Sequence, residues 1–374
     1  MREIEYWIWL SSLNGMGPVK AKKLLDIYKE PKYIFDLPVS ELKHLKILTA
    51  KNIEEITDGR KRERVEKIYE IMVKNDIKMI RINDASYPSS LKQIFDPPIA
   101  LYYLGKLRES SFSIAIVGSR RVTHYGRLAA KKLSYELALR GVQIVSGLAT
   151  GIDSIAHEGC LDAGGRTVAV LGCGADNIYP QENVKLFESI INSEGLILSE
   201  YPPGTPPLQH HFPARNRIIS GMCSGVLVIE AAKKSGSLIT AGYALEQGRE
   251  VFAVPGNIDC TYSAGTNQLI KDGAKMVVCA QDVLEEFDFQ EISVENNDEN
   301  KRIGEEKKTD FSIFRGLGTE EIRIAKLIHK GIHQIEDIIE CSNISAKEVL
   351  NILFMLEMKG IITQAPGKLF ELCQ

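Results

Sequence analysis

The chain has 374 residues, 44% hydrophobic and 25% charged, with a formal net charge of −3. This size predicts two or three domains of an ordinary soluble protein. So small a charge excludes a generally basic nucleic-acid binder, and any such role must rest on where the cations sit.

No apolar run approaches the roughly 18–20 residues of a membrane span, so no membrane partner is expected. Met1-Arg-Glu-Ile-Glu-Tyr6 has acids where a signal peptide has a basic region and an apolar core, so the default expectation is a cytoplasmic protein. The seven cysteines are scattered without a CxxC pair, and the seven histidines form no HExxH. Neither a zinc site nor a disulfide framework is expected, and no cofactor.

Residues 1–80 predict an all-helical domain. Leu13-Asn-Gly-Met-Gly-Pro-Val-Lys-Ala-Lys-Lys-Leu24 resembles a helix-hairpin-helix (SAM-like) element. Gly15 and Gly17 would let the backbone turn, with Pro18 at the first helical position. Two readings stand. The Gly-x-Gly amides with Lys20, Lys22 and Lys23 would hold a DNA phosphate, or the module only packs. The small basic excess favours packing.

Residues 81–287 predict the central domain. Tyr87-Pro88 and Asp96-Pro97-Pro98 punctuate a connecting region, and Ile99–Leu104 reads as a strand at the sheet edge. Seven apolar runs follow, alternating with helical patterns: 114–117, 142–145, 167–171, 195–198, 225–229, 250–254 and 275–278. Such alternation predicts an α/β fold with a doubly wound, mostly parallel sheet. Ligands of such sheets bind beyond the carboxyl ends of the strands, so the residues just after each strand carry the functional signal.

Those residues are small or cationic. Strand 114–117 ends in Gly118-Ser119-Arg120-Arg121 before a helical pattern. A strand, a Gly-Ser turn and a helix start offer backbone N–H groups to an anion, and two arginines add phosphate-matching forks. The alternative is a tight turn with a solvated Arg pair. Strand 142–145 leads into Ser146-Gly147-Leu-Ala-Thr-Gly151-Ile-Asp153. Strand 167–171 leads into Gly172-Cys-Gly-Ala-Asp176 and Tyr179-Pro180. Beyond strand 195–198 lies Phe212-Pro-Ala-Arg215-Asn216-Arg217, and beyond 225–229 lies Lys233-Lys234-Ser235-Gly236-Ser237. Arg120, Arg121, Arg215, Arg217, Lys233 and Lys234 would form a basic rim on a nearly neutral body.

Residues 288–312 are polar and acidic and predict a flexible linker. Residues 313–374 predict a winged helix, with helices near 320–329, 335–341 and 345–359 and a hairpin over 361–372 turning at Pro366-Gly367. Its third helix holds Lys347, Glu348, Glu357 and Lys359, so the charge cancels where a groove reader needs cations. A protein-interaction or structural role is the stronger expectation.

The motifs taken together resemble a known family. Val117-Gly-Ser-Arg120, Ser146-Gly-Leu-Ala-x-Gly-Ile-Asp153, Tyr179-Pro180, Ser199-Glu-Tyr-Pro-Pro-Gly204, Phe212-Pro-Ala-Arg-Asn-Arg-Ile-Ile219, Ser235-Gly-Ser-Leu-Ile-Thr240 and Val254-Pro-Gly-Asn257 stand in order. They are similar to the DprA, or Smf, family of DNA-processing proteins of bacterial natural transformation. The resemblance is dense over residues 80–287. It implies an extended Rossmann-like domain that binds single-stranded DNA, protects it and loads the RecA recombinase, with no chemical step. It also implies a homodimer built through that domain. Arg120 matches a family position that holds DNA phosphates. A family lysine that usually follows Tyr-Pro is replaced by Gln181, and Lys185 is the candidate substitute.

The expected DNA-binding set is therefore Gly118, Ser119, Arg120, Arg121, Gly147, Gly151, Lys185, Arg215, Asn216, Arg217, Lys233, Ser235, Gly236 and Ser237. The rival is a nucleotide-processing enzyme related to phosphoribohydrolases. Its acid falls on Gly242, with Glu246 a turn later, which leaves bond cleavage without a well-placed acid–base partner. Asp153, His157 and Glu230 are the polar residues most easily mistaken for a catalytic set. Helix capping is the expected role of Asp153, and packing or hydrogen bonding that of His157 and Glu230.

Overall fold

A computed structural model describes residues 1–58, 62–108, 110–287, 319–329, 332–342, 344, 346–359, 361–365 and 369–372. The chain forms two compact units, Met1–Glu295 and Asn296–Gln374. The predicted acidic linker lies outside the described residues.

The first unit opens with helices α1 (Glu3–Ser11), α2 (Pro18–Tyr28), α3 (Pro31–Phe35), α4 (Val39–His44), α5 (Ala50–Asp58) and α6 (Arg62–Lys74). Gly15 turns the α1–α2 hairpin in the left-handed region (φ +70°), and Pro18 opens α2. Trp7, Trp9, Leu24, Ile34 and Leu42 form the centre of this helical core. Ile99 and Tyr102 of the following segment pack into the same core, and the Tyr102 hydroxyl meets Ser11 Oγ at 2.8 Å.

Helix does not persist to residue 80. Lys78–Arg81 is strand β1, paired antiparallel with β2 (Ala100–Gly105). The 99–104 run is therefore a strand but not the edge, because β1 covers it. Four residues with charged ends give too short an alternation to read as a strand.

After α7 (Ser89–Lys92), the chain enters the parallel sheet. Its strands are β3 (Ser113–Val117), β4 (Gln143–Ser146), β5 (Thr167–Leu171), β6 (Leu196–Ser199), β7 (Gly225–Val228), β8 (Glu250–Ala253) and β9 (Lys275–Met276). Between them lie α8 (His124–Leu139), α9 (Ile152–Asp162), α10 (Val184–Asn192), α11 (His211–Gly221), α12 (Gly236–Glu246) and α13 (Ala264–Lys271), and α14 (Ala280–Leu284) follows β9. The strand order is β1-β2-β6-β5-β4-β3-β7-β8-β9, with β3 to β9 parallel and β1 and β2 antiparallel. All seven apolar runs form strands. They lack alternation because both faces are covered. Along β3, Ala115 and Val117 enter one core with Ile218, Ile219, Ala241 and Ala244. Ile114 and Ile116 enter the other, with Leu133, Leu137 and Ile155. The winding direction reverses between β3 and β7, so the carboxyl ends of these strands flank the crevice where such sheets hold ligands.

The second unit holds α15 (Thr319–His329), α16 (Ile335–Ser342) and α17 (Ala346–Met358), then β10 (Ile362–Ala365) and β11 (Leu369–Leu372). The two strands pair antiparallel, and Ile324, Ile338, Leu353, Ile362 and Phe370 build its core. This is the winged helix predicted from the sequence. The Pro366-Gly367 turn lies outside the described residues. Among the described residues, no helix is long and apolar enough to cross a membrane.

Candidate nucleic-acid interface

The turn after β3 is tightly tied to its own protein. Ser119 donates its N–H to Glu230 O (2.8 Å), and Ser119 Oγ both donates to Arg121 O (2.6 Å) and accepts Arg121 N–H (3.1 Å). Thr123 caps α8 by accepting Gly126 N–H at 3.0 Å. The buried Glu230 carboxylate accepts the Thr123 N–H (3.1 Å) and the Thr123 hydroxyl. A protein carboxylate thus occupies the helix start that the sequence offered to an anion. The N–H groups of Ser119 and Arg121 are likewise bound within the protein. What the turn presents outward is side chains, the exposed Arg120 and Arg121.

Glycine lets the turns after β3 and β4 touch. A Cβ on Gly118 would lie 2.6 Å from Ile152, and Gly151 (φ +90°) approaches Ser119 O so closely that a Cβ would lie 2.4 Å from it. Gly147 is held from both sides. Its N–H goes to Asp153 Oδ2 (3.2 Å), and its carbonyl accepts Arg215 Nη1 (2.8 Å). Arg215 also donates to Val170 O and, through Nε, to Asn216 Oδ1 at 3.2 Å. Burial pushes the Asp153 carboxyl up and the Arg215 guanidinium down, and their mutual attraction opposes both shifts. Leu148 sits in the left-handed region (φ +54°), and Asn183 Nδ2 holds its carbonyl at 2.9 Å.

These turns enclose a cavity of about 360 Å³ beyond the ends of β4 and β5, lined by Arg120, Gly147, Thr150, Tyr179, Gln181, Phe212 and Arg215 among others. The Arg120 guanidinium lies 5.6 Å from the Phe212 ring centroid, and Tyr179 lies 5.4 Å from Phe212 at 33°. An exposed cation over an aromatic pair can meet phosphate and base together.

The other expected residues are dispersed. Gln181 lines the cavity, whereas Lys185 is exposed on α10 and does not. Ser235 caps α12, accepting Ser237 N–H at 3.3 Å, beside exposed Lys233, Lys234 and Gly236. Asn216 ties α11 to that start through Gly236 O (3.5 Å). Arg217 is not a rim cation. Its side chain is 5% exposed and is held by Asp96 (3.0 Å) and Glu200 (2.5 Å). Arg215, 3% exposed, is likewise a buried wall residue rather than a free one.

The hairpin is also occupied by its own protein. Glu55 accepts Asn14 N–H at 3.0 Å and pairs with Arg64 at 2.8 Å, while Lys20 Nζ is bound to Asn52 Oδ1 at 2.7 Å.

The sequence reading missed Asn183 and the Glu230 cap. Asn183 follows Tyr179-Pro180 by three residues, a spacing that could have marked it. Glu230 lies 107 residues from its partner, so nothing local signals the contact.

His157 is a core residue. Its Nδ1 meets Thr167 Oγ1 at 2.6 Å, Nε2 has no partner, and burial lowers its pKa from 6.5 to about 3. Between those values the unfolded imidazole takes up a proton and the native one does not, so stability falls as pH drops through this window. The loss reaches about 2 kcal/mol by pH 5. Urea unfolding at pH 7 and pH 5 should show a smaller pH loss in His157→Gln than in wild type. Equal losses would contradict this assignment.

With the geometry established, similarity identifies the family. The model of DNA recombination-mediator protein A matches residues 78–288, and that of the DprA winged helix domain matches residues 315–368. Protein Smf of Synechocystis sp. is 34% identical over 393 residues, covering 99% of this chain and 98% of its own. DNA processing protein DprA of Streptococcus pneumoniae is 49% identical over 209 residues, covering 56% of this chain and 73% of its own. The X-ray structure of the S. pneumoniae protein matches with a TM-score of 0.68 at 38% identity, covering 78% of this chain and all of that one. A Helicobacter pylori DNA processing protein A structure, described for its single-stranded DNA binding mode, matches with a TM-score of 0.51 at 33% identity, over 56% of this chain and 94% of that one. The chain belongs to the DNA recombination-mediator protein A family, DprA/Smf.

Proposed function

We propose that this protein binds single-stranded DNA with little sequence preference, protects it and loads the RecA recombinase onto it during natural transformation. The observation that carries the reading is the exposed Arg120 over Phe212, whose ring in turn meets Tyr179, all three lining the cavity. Duplex bases are stacked away from such a pair, whereas unpaired bases reach it. The H. pylori relative, described as binding single strands, supports the same reading. The protein acts as a homodimer through the Rossmann-like domain and performs no chemical step. In support, Asp153, His157 and Glu230 are each engaged by their own protein. The winged helix serves a protein contact, since α17 exposes Leu350, Phe354 and Met355.

Fluorescence anisotropy of a labelled oligonucleotide, single-stranded beside duplex, tests the reading. The single strand should bind at least tenfold more tightly. Equal binding of both forms would overturn it. Recombinase loading is then read as filament assembly on strands coated with single-strand-binding protein, with and without this protein.

A further inference from the structure

A larger cavity, about 1140 Å³, lies between the helical segment and the loop after β6. One wall is the hairpin loop 13–17 with α6, and the other is the stretch 201–206. The cavity adjoins the Arg120 cavity across the first turn of α11. Phe212 and Arg215 line the Arg120 side, while His211 and Ala214 line this one. Each pair is three residues apart and shares a face, so a single helical turn is the ridge between two chambers.

The walls select what the chamber accepts. Its lysine and two arginines are already paired: Lys67 with Glu63 (2.7 Å), Arg64 with Glu55 (2.8 Å), and Arg217 with Asp96 and Glu200. A phosphate meets no unpaired lysine or arginine among these described residues. Arg217, one of the lining residues, has its Nη1 buried without a partner, while its Nη2 meets Glu200 Oε1 at 2.5 Å. A buried donor left open is costly, and it points to a ligand acceptor. A donor next to a carboxylate matches the mixed acceptor and donor edge of a nucleobase. Tyr201, stacked on His211 at 3.9 Å and 19°, supplies an aromatic wall.

We propose that this chamber receives an unstacked nucleobase of the strand held at Arg120, bonded by Arg217 and Glu200 and lying against Tyr201. The inference rests on the single-strand reading above. It makes the hairpin a wall for a base and not a clamp for a phosphate.

The test walks a single abasic position along the shortest labelled oligodeoxythymidylate that still binds with full affinity, whose length fixes the register, and reads affinity by anisotropy with the full chain. In wild type, one position costs about tenfold, the worth of one stacked and bonded base. Ala214→Phe, which plugs the chamber, removes that position's effect and still loses affinity when Arg120 is also replaced. Independently, 4-thiothymidine at that position cross-links wild-type protein within residues 3–20. A strand that binds but gives a flat walk and no cross-link there overturns this inference alone. If no single strand binds at all, the inference and the reading beneath it both fall.

Discussion

Arg217→Ala is expected to lower stability by about 3–5 kcal/mol, the cost of breaking a buried ion pair from one side. The arginine side chain is 5% exposed and holds two carboxylates, Asp96 at 3.0 Å and Glu200 at 2.5 Å. Removing it leaves both acids partly buried without their counter-ion. Burial already pushes the Glu200 carboxyl up, and the nearby Asp96 charge pushes it further, while Arg217 pulls it down. Without the arginine, the two upward pushes on Glu200 stand unopposed. Urea unfolding is the measurement. Replacing the acids along with the arginine (Asp96→Asn, Glu200→Gln, Arg217→Met) should recover a large part of the loss, because the unpaired charges cause it. A single mutant as stable as wild type would contradict this account. The same argument explains why lost DNA binding in an Arg217 variant cannot by itself be read as a lost DNA contact.

Arg120→Ala is the opposite case. The side chain is exposed and lies over Phe212, so its removal should leave the unfolding midpoint nearly unchanged. A charge-assisted bond to phosphate contributes about 1.5–3 kcal/mol, so single-strand affinity should fall roughly 10- to 100-fold at low salt. Arg120→Lys should recover part of it, since the charge remains but the planar fork does not. Anisotropy titration alongside thermal unfolding separates this variant from a folding lesion. Full loss of binding together with a lowered midpoint would contradict the assignment.

The sheet was legible because parallel strands covered on both faces read as unbroken apolar runs, and 114–117 shows that pattern plainly. β1 was not, because Lys78 and Arg81 frame only two apolar residues. At the interface, residue type predicted position but not burial. Arg120, Arg215 and Arg217 look alike in sequence. One is exposed, one braces Gly147, and one neutralises two acids. Their difference is set by partners 17 to 121 residues away, which periodicity cannot show. The carboxylate at the α8 start was hidden for the same reason. Glu230 comes from the end of β7, and only the pairing of β7 with β3 brings it to α8.

The most direct measurement is a salt series of single-strand binding for wild type and Arg120→Ala. The account predicts that affinity falls steeply with salt in wild type, and that the log–log slope becomes shallower by about 0.7 in the variant, one phosphate contact fewer. Identical affinity and identical slope in the two proteins would contradict it.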